Sequence, residues 1–276
     1  MNFKSRLILI LSKSYVTISV LAVYVTLLSV LDFSKWGIDS GWKMTILLLI
    51  ILFSFAYAYI STRNIKKINL RMPHEFDLTI CFDDILNQEG IVAISVNTYF
   101  DTIVDNIIIA ESTTHGQFIK KFFGGNEAEL EQKLQEALKP YAEKKVEMPS
   151  RPKGRKEYYP IGTIAKIEKN DRIFYLVAMS HFNEDNRSVC TIKDYFTVIE
   201  TVLEYADKNH KGKLVNLPLF GSGLSRLNRS KMDLLRYMYT KVKMGDYYFT
   251  GGLQFVLLPK FQNNVDLSII KYLWMP

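Results

Sequence analysis

Cysteine is almost absent from this sequence of 276 residues. Only Cys81 and Cys190 occur, far apart in the chain and without CxxC spacing. A disulfide-stabilised scaffold and a cysteine-based zinc site are therefore excluded, and no other metal site is predicted. We expect both thiols to be reduced and to lie inside a folded domain.

A basic surface of the kind that binds nucleic acid is also missing. The net charge is +7, but residues 1–70 carry +6 of it, so residues 71–276 are close to neutral. Contact with a phosphate backbone requires a concentrated positive field. Nucleic acid is therefore excluded as a partner of the larger, C-terminal part of the chain.

Two N-terminal segments lack charge altogether. Residues 14–31 and 44–61 are runs of 18 uncharged residues. As helices they would each span about 27 Å, close to the thickness of a bilayer's hydrocarbon core. We predict a two-helix transmembrane anchor in residues 1–62, followed by a basic linker in residues 63–75. The spans have no charge at mid-depth, which excludes a transporter.

Charges beside the two runs predict how the anchor is oriented. Lys4 and Arg6 precede the first run, and Arg63, Lys66 and Lys67 follow the second, whereas the connecting loop has no net charge. Positively charged flanks stay in the cytoplasm. We therefore expect a multi-pass protein of the cell membrane with both termini on the cytoplasmic side and the lipid membrane as a partner.

Residues 76–276 alternate between strand-like and helix-like segments. The predicted strands are rich in β-branched and aromatic residues and comprise Phe76–Phe82, Gly90–Val96, Gly162–Glu168, Ile173–Ser180, Lys213–Phe220 and Leu253–Pro259. This alternation predicts an α/β domain whose helices cover both faces of a mostly parallel central sheet. In such a sheet, ligands bind at the carboxyl ends of the strands.

Polar and glycine residues follow three of these strands, and the third set is the most informative. Asn97–Asp101 follow one strand, Ser180–Asn183 another, and Gly221–Arg226, which begins Gly221-Ser222-Gly223, a third. Glycines on both sides of a serine let the backbone approach a phosphate closely. A tight strand-to-helix turn without a ligand is the alternative. The spacing lacks GxSxG, so a serine hydrolase is excluded and no catalytic residue is assigned.

The order of elements from Phe82 to about Pro259 resembles the macro domain, the ADP-ribose-binding fold. FDDI resembles that family's Gly-Asp-Ile stretch, with Asp84 at the position that contacts adenine, and VAISVNTYFD resembles its VNAANxxL segment, with Asn97 facing the distal ribose. LPLFGSGLSR resembles its PLIGTGxxG diphosphate loop. The family's glycine run after the asparagine is replaced by side chains, and only Gly116 is left.

The resemblance implies a three-layer macro-like domain in residues 76–276 that needs no cofactor and binds an ADP-ribose derivative. Hydrolase activity is not expected, because the first phosphate loop is less open than the family's. The implied ligand contacts are Asp84, Ile85, Asn97, Thr98, Asp101, Ser112, Thr113, Thr114, His115, Gly116, Ser180, His181, Phe220, Gly221, Ser222, Gly223, Leu224, Ser225 and Arg226.

Two N-terminal spans before a divergent macro domain resemble the membrane effectors of type II Thoeris anti-phage systems. In that family a Toll/interleukin-receptor-type (TIR) enzyme makes an ADP-ribose-derived signal, histidine-ADP-ribose. The resemblance implies that the protein binds this signal, self-associates and disrupts the bacterial inner membrane. A membrane-tethered ADP-ribosyl hydrolase and a protein-binding scaffold are the alternatives.

Overall fold

The computed structural model describes residues 40–61 and 65–271, apart from 125, 183–187 and 224–226, together with isolated positions between 7 and 22. Contacts divide the chain into two units. The first comprises Met1–Lys66 and Val265–Pro276, and the second Lys67–Asn264. In the first unit the structure has helix α1, Ser40–Ser61, and the short helix α6, Leu267–Ile269. The division of the chain at residues 62 and 75 stays a prediction.

The first unit overturns one expectation. Crossing a bilayer takes about 20 consecutive apolar residues in one helix. Within the described residues, no helix meets the length and apolarity that a membrane crossing demands. The predicted transmembrane hairpin is therefore not seen, and the predicted inner-membrane localisation with cytoplasmic termini is wrong. Most of the first predicted span, 14–31, lies outside the described residues.

The second unit is built on a mixed, mostly parallel sheet, as predicted. Its strands are β1 Lys67–Arg71, β2 Asp77–Phe82, β3 Ile91–Asn97, β6 Ile164–Lys169, β7 Arg172–Phe182, β8 Ser188–Val189, β9 Val215–Pro218 and β10 Leu253–Leu257. The order across the sheet is β1-β2-β10-β9-β3-β7-β6, and β8 also pairs with β7. The five central strands run parallel, while β1, β6 and β8 pair antiparallel.

Helices cover both faces of this sheet. Successive residues of a strand point to opposite faces, so contacts of neighbouring β7 residues show which helices lie on which face. Helices α2 (Thr114–Phe123) and α3 (Glu127–Leu138) lie on one face, where Phe118 contacts Phe174 of β7 with ring centroids 4.8 Å apart. On the other face lies α4, Ile192–Asn209, whose Tyr205 contacts the neighbouring Tyr175 at 5.1 Å. Helix α5, Lys231–Met244, packs beside α4. The result is the predicted three-layer α/β architecture.

Two segments differ from the sequence-based prediction. Residues predicted to belong to the basic linker form the edge strand β1. Residues 114–123, which the resemblance assigned to the first phosphate loop, form α2. The Pro- and Lys/Arg-rich segment 146–160 forms the two-stranded β4–β5 hairpin, Val146–Glu147 with Glu157–Tyr158. Single turns of 3-10 helix occur at Pro73–Glu75, Ile85–Asn87, Lys139–Lys144 and Pro259–Asn263.

Candidate functional site

A cavity of about 450 Å³ opens where the central parallel strands end. This is the edge at which α/β sheets bind ligands, and the volume is in the range of small-molecule sites. The segments after β2, β3, β7, β9 and β10 all contribute to its wall. It is lined by Asp83, Ile85, Ser95, Val96, Asn97, Ile108, Ile109, Ala110, Ser112, Thr113, Thr114, His115, Met179, Ser180, Phe182, Ser188, Pro218, Leu219, Gly221, Ser222, Gly223, Val256, Leu258, Lys260 and Phe261.

The cavity brings together ten of the residues expected to contact a ligand: Ile85, Asn97, Ser112, Thr113, Thr114, His115, Ser180, Gly221, Ser222 and Gly223. Six others do not line it: Asp84, Thr98, Asp101, Gly116, His181 and Phe220. The remaining three, Leu224, Ser225 and Arg226, lie outside the described residues.

Hydrogen bonds from Ser222 stabilise the turn after β9. The Ser222 hydroxyl donates to the carbonyl oxygen of Leu219 at 2.5 Å, and the Ser222 N–H donates to the same oxygen at 3.3 Å. Gly221 has φ +73°, a left-handed conformation that favours glycine. A Cβ built on Gly223 would meet open space. The backbone at Gly223 is therefore accessible from the cavity, as contact with an anion requires.

The opposite wall is the start of α2. Thr113 is the N-cap of this helix: its hydroxyl accepts a hydrogen bond from the N–H of Gly116 at 3.0 Å and donates to the carbonyl oxygen of Ala110 at 2.7 Å. A Cβ on Gly116 would lie 2.4 Å from that same carbonyl oxygen, so Gly116 is required for packing. Ser112, Thr113 and Thr114 line the cavity, so the positive end of the helix dipole adjoins it.

His115 is a buried residue of the cavity wall, with 6% of its surface exposed. Burial lowers the pKa of its imidazole from 6.5 to about 4, and the nearby charge of Asp101 opposes this shift only in part. The side chain is therefore neutral at physiological pH. A neutral imidazole presents one donor and one acceptor to a ligand.

The two adjacent aspartates after β2 have different environments. Asp83 lines the cavity, and its carboxylate accepts hydrogen bonds from the Asp84 N–H at 2.8 Å and from the Gln88 side chain at 3.0 Å. Asp84 instead caps the short helix that follows, accepting from the Leu86 N–H at 2.9 Å. The structure thus places Asp83, and not the predicted Asp84, on the cavity wall.

Of the three predicted contacts at the end of β3, Asn97 lines the cavity, whereas Thr98 and Asp101 do not. The Asn97 side-chain oxygen accepts from the backbone N–H of Tyr99 at 3.0 Å and of Asp101 at 3.4 Å, which leaves its NH₂ group as the donor for a ligand. Thr98 is buried, and its N–H donates to the carbonyl oxygen of Ser180 at 2.8 Å. Asp101 is fully buried in an ion pair with Arg151.

Two other predicted contacts are parts of the scaffold. His181 pairs with Val189 of β8 across the antiparallel ladder, and Phe220 is buried in the core with 1% of its surface exposed. Neither side chain reaches the cavity wall, whereas the next residue along each segment, Phe182 and Gly221, does. Whether His181 or Phe220 contacts a ligand stays a prediction.

The macro-domain family model of Thoeris protein ThsA matches residues 78–250. The chain belongs to this family. It is also 37% identical over 135 residues to the Thoeris protein ThsA of Bacillus amyloliquefaciens (strain Y2). That match covers 48% of this chain and 43% of the relative, so the chain spans less than half the length of the curated protein that it matches.

Solved macrodomain structures share the fold. A mutant macrodomain from Oceanobacillus iheyensis aligns with a TM-score of 0.51 and 14% identity over 76% of this chain and 98% of its own. A second mutant of that macrodomain, solved with ADPR, aligns with a TM-score of 0.51 and 12% identity over 76% of this chain and 100% of its own. The macro-domain and Thoeris parts of the resemblance are therefore confirmed, and the type II assignment is not supported.

Sequence reasoning missed several residues of the macro-domain cavity. Lys260 and Phe261 follow β10, and the rule that ligands bind at strand ends would have found them had it been applied to that strand. Ile108 and Ile109 lie in the irregular segment between β3 and α2, where no local pattern indicates a cavity wall. Asp83 belongs to the FDDI motif, but the adenine contact was assigned to its neighbour Asp84.

Proposed function

We propose that this chain is the signal-binding component of an anti-phage Thoeris system. Its macro domain receives an ADP-ribose-derived nucleotide, histidine-ADP-ribose in the form we favour, made by a partner TIR-domain enzyme. The family assignment supports the Thoeris context, and the relative solved with ADPR supports the ligand class. The proposal covers sensing, and the binding unit is Lys67–Asn264.

One observation carries the proposal: two backbone anion sites face the same cavity. The Gly221-Ser222-Gly223 turn and the N-terminus of α2 both line it. Backbone N–H groups at a glycine turn and at a helix start are the groups that proteins use to bind phosphates. Two such sites on one cavity fit a diphosphate.

The charges of the cavity wall agree with this assignment. Among the described residues that line it, Lys260 is the one lysine or arginine and Asp83 the one carboxylate. Lys260 lies on the segment after β10. In the sheet, β10 is between β2, which directly precedes Asp83, and β9, which leads to the glycine turn. A cation at this place suits a phosphate, and a carboxylate beside it suits an adenine amino group.

Hydrolysis of the ligand is the second candidate function, and the position of His115 on the cavity wall is the observation that favours it. A neutral imidazole on the cavity wall is able to accept a proton from water. Receptor and hydrolase differ in whether the ligand survives. We favour the receptor because a general base needs an orienting partner. Among the described residues, His115 has a charge interaction with Asp101 but no hydrogen bond.

Sensing requires an output, and we propose that it is self-association. Ligand binding favours an assembly only if the assembled state binds the ligand more tightly. A hundredfold preference supplies about 2.7 kcal/mol per protomer. Mass photometry of the full-length protein with and without ligand tests this step. A particle size that is the same in both samples would contradict it.

Calorimetric titration of the full-length protein with ADP, ADP-ribose and histidine-ADP-ribose tests the binding proposal. We expect saturable binding, tightest for the histidine conjugate. Chromatography of the recovered ligand then separates a receptor, which returns it unchanged, from a hydrolase. If none of the three binds at millimolar concentration, both functions are wrong, and binding of protein becomes the leading hypothesis.

A further inference from the structure

The Pro- and Lys/Arg-rich segment 148–156 is tied to the cavity wall by its basic side chains. Lys153 pairs with Asp105 at 2.6 Å and Arg155 with Glu131 at 3.3 Å. The Asp105 carboxylate in turn accepts hydrogen bonds from the backbone N–H groups of Ile107 and Ile108, the second of which lines the cavity. We call residues 148–156 the basic strap.

Arg151 is the centre of the strap. Its guanidinium donates to both carboxylate oxygens of Asp101, at 2.9 and 2.7 Å, and the Arg155 N–H donates to the same carboxylate at 2.9 Å. The Arg151 and Asp101 side chains are 5% and 0% exposed. A buried charge that loses its partner is strongly unfavourable, so each of these groups fixes the position of the other.

The backbone of the strap is shaped around this ion pair. Gly154 has φ +86°, and a Cβ at this position would lie 2.5 Å from an Asp101 carboxylate oxygen and 2.7 Å from the Arg151 guanidinium. The Lys156 ammonium donates to the Arg151 carbonyl oxygen. A side chain at position 154 would therefore push the strap away from Asp101. The contact is a specific one, not a loop resting on the surface.

Arg151 also touches the back of the cavity wall. Its guanidinium lies over the ring of Tyr99 at 3.7 Å and over the ring of Phe182 at 5.1 Å, and Phe182 lines the cavity. On the Asp101 side, the backbone N–H of Asp101 donates to the side chain of Asn97, which also lines the cavity. One guanidinium thus braces two neighbouring wall residues from behind.

We infer that Arg151 is a positioning residue for the end of the cavity formed by Asn97 and Phe182, without contacting the ligand itself. This inference rests on the proposed function, because it concerns the same cavity. Asn97 and Phe182 are the last residues of β3 and β7, and these strands lie on the far side of β9 and its glycine turn from β2 and Asp83. The part of the ligand that they meet is therefore the group beyond the diphosphate, and not the adenosine.

The test separates the two halves of the ligand. Arg151→Lys keeps the positive charge but loses the forked hydrogen bonds and the flat stack on Tyr99. We expect its affinity for ADP-ribose, or for histidine-ADP-ribose if that binds more tightly, to fall about tenfold, as when one ligand hydrogen bond is misaligned. Affinity for ADP, which lacks the distal group, should change less than about twofold. Arg71→Lys, in an exposed ion pair with Asp77 on the edge strand, is the matched control.

Three outcomes are decisive. A loss of affinity for the longer ligand alone confirms the positioning role. A loss of protein stability alone would instead weaken the binding of both nucleotides to the same extent. Equal losses, or none, in folded Arg151→Lys would overturn the inference while leaving the proposed function intact. Failure of the wild-type protein to bind any of the nucleotides refutes the proposed function first. If Arg151→Lys does not fold, Phe182→Leu removes the braced ring itself and should show the same selectivity.

Discussion

Folding of the second unit should become less favourable in acid because of His115. The imidazole is buried, and burial lowers its pKa from 6.5 to about 4. Between these two pH values the unfolded chain binds a proton that the folded chain does not, so the free energy of unfolding falls as the pH falls. Each pH unit is worth about 1.4 kcal/mol, so the loss reaches about 3 kcal/mol when the pH approaches 4.

Urea denaturation of the full-length protein at pH 7.5, 6.5, 5.5 and 4.5 measures this effect, with His115→Gln measured alongside. Other groups titrate in the same range, so the quantity of interest is the difference between the two pH profiles. We expect the wild type to lose about 2.5 kcal/mol more than the variant on going from pH 7.5 to 4.5. Parallel profiles would show that His115 is not held neutral by burial, and the reasoning would fail.

Three further predictions concern the site. Gly223→Asp should weaken nucleotide binding by several kcal/mol, because it sets a carboxylate where phosphate is expected, whereas Gly223→Ala adds a Cβ into open space and should bind normally in calorimetry. Asp83→Asn should weaken ADP binding by about 1–3 kcal/mol. Asp84→Ala should chiefly lower the free energy of unfolding, by about 1 kcal/mol, because the N-cap of the short helix is lost. If Asp84→Ala weakens ADP binding and Asp83→Asn does not, Asp84 is the adenine contact, as the FDDI motif predicted. Asp101→Asn should destabilise the fold by about 3 kcal/mol by leaving Arg151 buried without its partner, while the exposed Asp77→Asn should cost under about 1 kcal/mol in urea denaturation.

Local patterns were sufficient for most of the sheet, and the starts of two helices also carry local sequence signals. Helix α4 opens with a capping box in which Thr191 and Asp194 satisfy each other's backbone N–H groups. Ser230 is the N-cap of α5, and its hydroxyl accepts a hydrogen bond from the Asp233 N–H. Such signals lie within a few residues of each other and can be read directly from the sequence. The strands followed from runs of β-branched and aromatic residues, with bounds that differ from the structure by at most three residues.

The errors came from contacts that are distant in sequence and from the resemblance itself. Asp101 and Arg151 are 50 residues apart, so no local pattern reveals that this carboxylate is bound by a guanidinium and unavailable to a ligand. Aligning this stretch with the family's first phosphate loop hid the amphipathic helix α2, whose Phe118, Ile119 and Phe123 are buried on one face. Hydropathy of two N-terminal runs predicted a membrane hairpin that the described helices do not support.

The position of β10 has a consequence for synthesis of the chain. This strand is the last of the sheet to be made, yet it lies between β2 and β9 and joins β1 and β2 to the rest. A nascent chain that has not reached residue 257 therefore has no continuous sheet, and it also lacks Lys260 and Phe261. During synthesis, the central sheet and the cavity wall therefore stay incomplete until almost all of the second unit has been translated.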